Sequence, residues 1–233
     1  MAHEQYCDKG DVKTWLGITG TAQDTNIDIS IDAASRAIDE YCNRVFFQTE
    51  TTQTRYYDCE FADLVYVDDI ATTTDLVVTT LNEDGTDDQT LVLNTDFYLY
   101  PLNAGSVHPY MPFYKIVMAI ENGGKILQTH YPRSLKVTAT FGFPTQHGAS
   151  DSIPEAIKQA ALIQSSRFFQ RKQSPMGFSG NPETGEAPIM FLSKLDPDVR
   201  TLINPFKRST TVLASGRPYV GLTAINNNRQ YGL

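Results

Sequence analysis

The sequence predicts an α+β fold: a small helical bundle of about four helices, an antiparallel β subdomain inserted between helices 2 and 3, and an extended C-terminal tail. Three observations predict it. Apolar residues recur at helical spacing near both ends of the chain, but alternate from about residue 48 to 143. Turn signals punctuate that middle stretch. Beyond residue 207 no helical period is present. The corresponding divisions are 1–47 and 146–206 for the bundle, 48–145 for the β insertion and 207–233 for the tail. A chain of 233 residues is long enough to bury a substantial core.

Asp11 is placed to cap a first short helix ending at Leu16, with Val12, Trp15 and Leu16 on one face and Gly17 as its stop. Trp15 on such a face is expected in the core. Asp24 is the predicted cap of a longer helix to about Cys42, on which Ile27, Ile31, Ala34, Ile38 and Tyr41 recur at helical spacing; Asn43-Arg44 closes it. The strongest helix signal is Ser152 to Lys172. Ser152 and Glu155 have capping-box spacing, and Pro154 falls in the first turn, where its missing N–H costs nothing. Ile157, Ala161, Gln164 and Phe168 form one row, with Ala160, Ile163 and Arg167 beside it. Arg167, Arg171 and Lys172 suit the carbonyl end of the helix dipole. Ser174, Pro175 and Gly177 stop the helix, and a long loop runs to Pro188. Asp196 then caps a fourth helix that starts with Pro197, buries Val199, Leu202 and Ile203, and ends at Asn204-Pro205.

Between helices 2 and 3, strands are predicted over Thr49–Tyr57, Leu64–Val67, Leu76–Leu81, Gln89–Leu93, Phe97–Tyr100, Ile116–Ile120 and Leu135–Phe141. Asp84-Gly85 marks a hairpin turn, and Asn122-Gly123-Gly124 another.

The 27 acidic and 19 basic residues give a formal net charge of −8, which argues against a protein that grips nucleic acid by neutralising phosphates. No apolar run approaches the roughly 18 residues of a membrane span. The first ten residues lack the basic and apolar regions of a secretory signal. Cys7, Cys42 and Cys59 have neither C-x-x-C spacing nor an even count, so free thiols in a reducing compartment are expected. The four histidines are isolated, and no nucleophile elbow, phosphate-binding loop or dinucleotide fingerprint is present. No cofactor or metal site is expected. Asp58, Glu60, Asp63, Asp68 and Asp69 form an acidic cluster that could serve a glycoside-type hydrolase or a calcium site, but a solvated acidic surface is the reading its spacing favours. Tyr98, Tyr100, Tyr110, Phe113, Tyr114 and Tyr131 could stack sugars in a carbohydrate- or surface-binding β module, or could edge a β core.

The order of the motifs is distinctive. Asp11–Ile18 reads D-V-K-T-W-L-G-I, and the second helix ends Tyr41-Cys-Asn-Arg-Val-Phe46. The β insertion closes with Val137-Thr-Ala-Thr-Phe-Gly-Phe143. Then follow Ile153-Pro-Glu-Ala-Ile-Lys-Gln-Ala-Ala161, Ser166-Arg-Phe168, Arg171-Lys172, Ser174-Pro-Met-Gly177, Leu195-Asp-Pro-Asp-Val-Arg200 and Pro205-Phe206. This ordered set resembles the head-to-tail adaptor (connector) proteins of long-tailed bacteriophages, in the version with a β insertion between the second and third helices.

The resemblance implies a structural virion protein, not an enzyme. It implies a four-helix scaffold that assembles with copies of itself as a ring, typically a dodecamer, beneath the portal protein. Such a ring extends the DNA channel, lets DNA pass without specific binding, and docks a stopper or tail-completion protein. The implied location is the neck of the virion, and the host cytoplasm during assembly. On this resemblance the basic helix end (Arg167, Arg171, Lys172) becomes a candidate partner contact, together with Arg208, Arg217, Tyr219, Arg229 and Tyr231 of the tail. The acidic balance leads to the further expectation that carboxylates facing the channel repel DNA phosphates.

Overall fold

The computed structural model describes residues 5–104, 111–120, 124–146, 152–171, 178–179, 189–190, 195–208, 211–212 and 218–219. The chain divides into two compact units: Met1–Arg44 with Glu155–Leu233, and Val45–Pro154. The fold is α+β, with the strands of the second unit inserted between the second and third helices of the first.

In the helical unit, α1 spans Lys9–Leu16 and α2 spans Asp24–Cys42. Asp11 is not the cap of α1: Asp8 occupies that position in extended conformation, and Asp11 lies in the first turn, where its charge still suits the helix dipole. Gly17 ends α1 at φ 67°, and its N–H reaches the carbonyls of Lys13 and Thr14. Asp24 is likewise the first residue of α2, not its cap. The helix ends at Asn43, which takes the left-handed conformation at φ 52°. Val12, Ile27 and Ile31 form a core to which Leu16, Leu162 and Phe169 add. Lys9 and Lys13 of α1 pair with Asp28 and Asp24 of α2 at 2.7 and 2.8 Å, so the two helices are joined by charge beside the apolar contact. Trp15 is 58% exposed, contrary to the expectation of a core residue. The α1 core contact is made by Val12 and Leu16, one turn apart, and Trp15 falls outside that line.

Helix α3 spans Glu155–Arg171 and buries Ile157, Ala160, Ala161, Gln164, Ser165 and Ser166. The last two are polar, yet each hydroxyl donates to the Leu162 carbonyl, at 3.0 and 2.8 Å. Helix α4 spans Pro197–Ile203, followed by a 3-10 turn at Asn204–Phe206. Asp196 caps it as expected, accepting from the Asp198 N–H, with Pro197 at the first helical position.

The inserted unit holds β1 (Gln53–Tyr57), β2 (Leu64–Ile70), β3 (Val77–Leu81), β4 (Asp87–Leu91), β5 (Phe97–Tyr100), β6 (Phe113–Met118) and β7 (Leu135–Ala139). They form two antiparallel sheets, ordered β1-β7-β3-β4 and β2-β6-β5. Both sheets feed one core, which includes Val65, Val67, Phe97, Leu99, Ile116, Leu135 and Val137. Alternation does the sorting: on β7, Leu135, Val137 and Ala139 are buried while Lys136 and Thr138 are not. Strand β4 begins at Asp87, two residues before the predicted start, because the Asp84-Gly85 turn is tight. Gly85 sits at φ 82°, and Asp84 accepts from both the N–H and the hydroxyl of Thr86. The exposed Asp87 and Asp88 lie on a sheet edge, where charge discourages further strand pairing. Gly142, at φ 115°, is irreplaceable: an added Cβ would lie 2.0 Å from the Phe47 carbonyl oxygen.

Ser152 does not form the expected capping box. The helix begins three residues later, and the Ser152 hydroxyl donates to the Phe46 carbonyl at 3.0 Å, inside the β unit. Further along, β8 (Phe178–Ser179) pairs with β9 (Ile189–Met190), and β10 (Thr211–Val212) pairs with β11 (Pro218–Tyr219).

Candidate functional site

The basic end of α3 divides into residues with different duties. Arg167 points its guanidinium at Asp196, with Nη1 to Oδ2 at 3.0 Å. The other Asp196 oxygen accepts from the Asp198 N–H, and the Asp196 N–H donates to Gln164 Oε1 at 3.1 Å. One aspartate thus caps α4 and fastens it to α3. Arg171 is exposed, with its guanidinium 5.7 Å from the centre of the Phe168 ring. Arg208 is half-buried; its backbone N–H donates to the Cys42 carbonyl at 2.8 Å, which ties the start of the tail to the end of α2. The adjacent Lys207 places its ammonium 4.7 Å from the Tyr41 ring centre, and the Tyr41 hydroxyl donates to Asn204. Lys172, Arg217, Arg229 and Tyr231 lie outside the described residues, and Tyr219 is described only as backbone in β11.

Arg171 shares a cleft of about 370 Å³ with Tyr41, Phe168, Leu195, Glu40 and Arg200. Arg200 is the site residue that sequence reasoning missed. Its signal was available: it lies two positions from Asp198 on a helix, and so on the other side of it. A second cleft of about 450 Å³ lies between the start of α3 and α4, lined by Glu155, Ala156, Gln159, Asp198, Thr201 and Leu202.

Two carboxylates of the acidic cluster, Asp58 and Asp68, are engaged in structural contacts. Asp58 accepts from the Arg133 N–H at 2.6 Å, and Asp68 accepts from Arg55 at 2.8 Å and from the Tyr57 hydroxyl at 3.0 Å. Asp69 is buried, and its carbonyl accepts from the Gly142 N–H. The tyrosines are likewise dispersed. Phe97 and Leu99 enter the core while Tyr98 and Tyr100 take the other face of β5; Lys115 stands 4.6 Å from the centre of the Tyr100 ring. Tyr131 instead donates to the Leu81 carbonyl, and Tyr110 lies outside the described residues.

The cysteines are free, and burial governs their chemistry. It pushes the Cys42 thiol up to about 12 and the Cys7 thiol to about 11, and raises that of Cys59. At neutral pH these thiols hold their protons, so the nucleophilic thiolate is scarce. Among the described residues no group of three or more His, Cys, Asp or Glu side chains could hold a metal ion, and no helix is long and apolar enough to cross a membrane.

Comparison with known proteins gives this arrangement a context. No curated protein sequence matches the chain. Among solved structures, a chain from the "neck of empty GTA particle computed with C6 symmetry", a gene transfer agent, superposes with a TM-score of 0.50. It is 17% identical, and the match covers 90% of this chain and 92% of that one. A chain from the neck of the native particle, computed with C12 symmetry, gives a TM-score of 0.47 at 15% identity over 83% and 86% of the two chains. The first of these shows a shared fold. The family model described as "Head completion protein" matches residues 7–209, from the residue before Asp8 at the cap of α1 through both units to the start of the tail. The chain therefore belongs to the head completion protein family, and its role is structural, in the head–tail connection of a phage-like particle.

Proposed function

We propose that the protein is a head-to-tail adaptor subunit that assembles as a closed ring beneath the portal protein. In this reading the ring, of twelve copies, extends the DNA channel and presents its far face to a stopper or tail-completion protein. The observation that carries the reading is the span of the family match, which takes in the helical scaffold and the whole β insertion. The C6 symmetry with which the gene transfer agent neck was computed is consistent with a rotational assembly.

Within this proposal Arg171, Lys172 and Arg208, with Arg217, Tyr219, Arg229 and Tyr231 of the tail, are the candidate partner contacts. Arg167 contributes indirectly, by holding Asp196 and with it α4. DNA passes without a specific site, and the formal net charge of −8 supports a channel that repels phosphates. The protein acts at the neck of the finished particle and meets its partners in the host cytoplasm.

Removing the gene from a producing host tests the proposal. Electron microscopy is expected to show packaged heads and separate tails, and supplying the chain in trans is expected to restore joined particles. Joined, infectious particles in its absence would refute the adaptor role.

A further inference from the structure

The helical unit carries two clefts of opposite sign. In the first, Ala156, Gln159, Thr201 and Leu202 line the cleft and its charges are the carboxylates of Glu155 and Asp198. Glu155 has Lys158 at 3.1 Å on its own helix, yet its side chain remains 85% exposed. In the second, Tyr41, Phe168 and Leu195 supply the apolar wall, and among the described residues Arg171 and Arg200 outnumber Glu40. Helical geometry sets the clefts apart. At about 100° per residue, Asp198 and Arg200 are separated by about 200° around α4. By the same count Phe168 and Arg171 lie roughly opposite Glu155 and Gln159 around α3. The α3–α4 pair therefore has an anionic flank and a cationic flank.

We propose that these flanks are the two halves of the contact between neighbouring copies: the Glu155/Asp198 cleft of one chain docks on the Arg171/Arg200 cleft of the next. The inference rests on the ring reading above and names the surfaces that build it. A ring needs a heterologous interface, formed by two different and mutually complementary patches on one chain. Opposite charges on opposite flanks meet that requirement. Either flank placed against itself would oppose like charges, which disfavours a two-fold dimer and leaves head-to-tail closure. Both clefts combine apolar lining with charged side chains, and Arg, Tyr and Phe in the cationic one are residue types enriched at interface centres. The occupant is a second copy because each flank finds its complementary charge on the same chain.

Native mass spectrometry of the full-length chain, alone and with its purified portal, tests this. The reversals E155R/D198R and R171E/R200E are each expected to raise the concentration for half-assembly about tenfold or more. An equal mixture of the two variants is expected to assemble again with alternating copies, as is a chain carrying all four changes. Circular dichroism checks folding; if a reversal variant does not fold, E155Q/D198N and R171Q/R200Q take its place, with a loss of about threefold expected. Rings unchanged in both variants would overturn the assigned surfaces while leaving the ring reading intact. Rings that persist but no longer bind the portal would give the cationic cleft to the portal, and also overturn it. A wild-type chain that forms no ring even on the portal would remove the ring reading and this inference together.

Discussion

Asp196 does three things at once: it caps α4, accepts the Arg167 guanidinium and donates its N–H to Gln164. Arg167→Ala is expected to cost about 1 kcal/mol, since the pair is partly buried, and Asp196→Ala about 2 kcal/mol, because the cap is lost as well. Urea denaturation of both single variants and the double variant measures this, and a double-mutant cycle is expected to show coupling of at least about 0.5 kcal/mol. The cap was legible from Asp196-Pro197 alone, because capping is local. The partner was not, because Arg167 is 29 residues away and reads simply as a basic helix end. Alkaline stability follows from the thiols. Cys42 titrates near 12 and Cys7 near 11 in the folded chain, against an ordinary value of 9.0. Burial, with the nearby Asp68 carboxylate, likewise raises Tyr57. Above about pH 9 the unfolded chain has lost protons that the folded chain keeps, so the stability from these groups is complete below that pH and declines as pH rises toward 12. The urea midpoint is expected to fall between pH 8 and pH 10.5, and Cys42→Ala is expected to flatten that slope; an equal slope in the variant would remove Cys42 from the account.

At the scale of elements, the helices were the most legible part of the fold. Helix α2 runs from Asp24 to Cys42 as its apolar period predicts, because Ile27, Ile31, Ala34 and Ile38 all meet the core. Where α3 packs on α2 the small residues matter as much as the large ones: Ala34 of α2 and Ala160 and Ala161 of α3 are fully buried. Ala161→Leu is expected to cost about 1–3 kcal/mol through overpacking, read as a lowered thermal midpoint with unchanged helical content by circular dichroism. A wild-type midpoint would mean that space exists where the structure shows none. The errors have a common physical origin. Ser152 had the spacing of a capping residue, yet its hydroxyl is engaged by the carbonyl of Phe46, 106 residues earlier. Trp15 had the face of a core residue, yet α1 rests on Val12, Leu16 and two lysine–aspartate pairs. Local patterns specify where a helix forms; which of its residues finds a partner depends on elements far away in the chain.

At the scale of the molecule, the insertion of strands between the second and third helices could be read from the change of period. The strand order β1-β7-β3-β4 could not, because β1 and β7 are joined by pairs such as Tyr57 with Leu135 that leave no mark on local sequence. The candidate site shows the same division. The basic end of α3 was visible as Arg167, Arg171 and Lys172, but its meeting with Arg200, and the acidic counterpart on the opposite flank, needed the helices in place. The family match over residues 7–209 and the opposite charge of the two flanks both fit a protein whose work is assembly. That claim is tested most directly by the mass of the full-length protein measured with and without its purified portal. A portal-bound assembly containing a closed ring of this chain, of twelve copies, is expected. A chain that stays monomeric and never associates with the portal would contradict it.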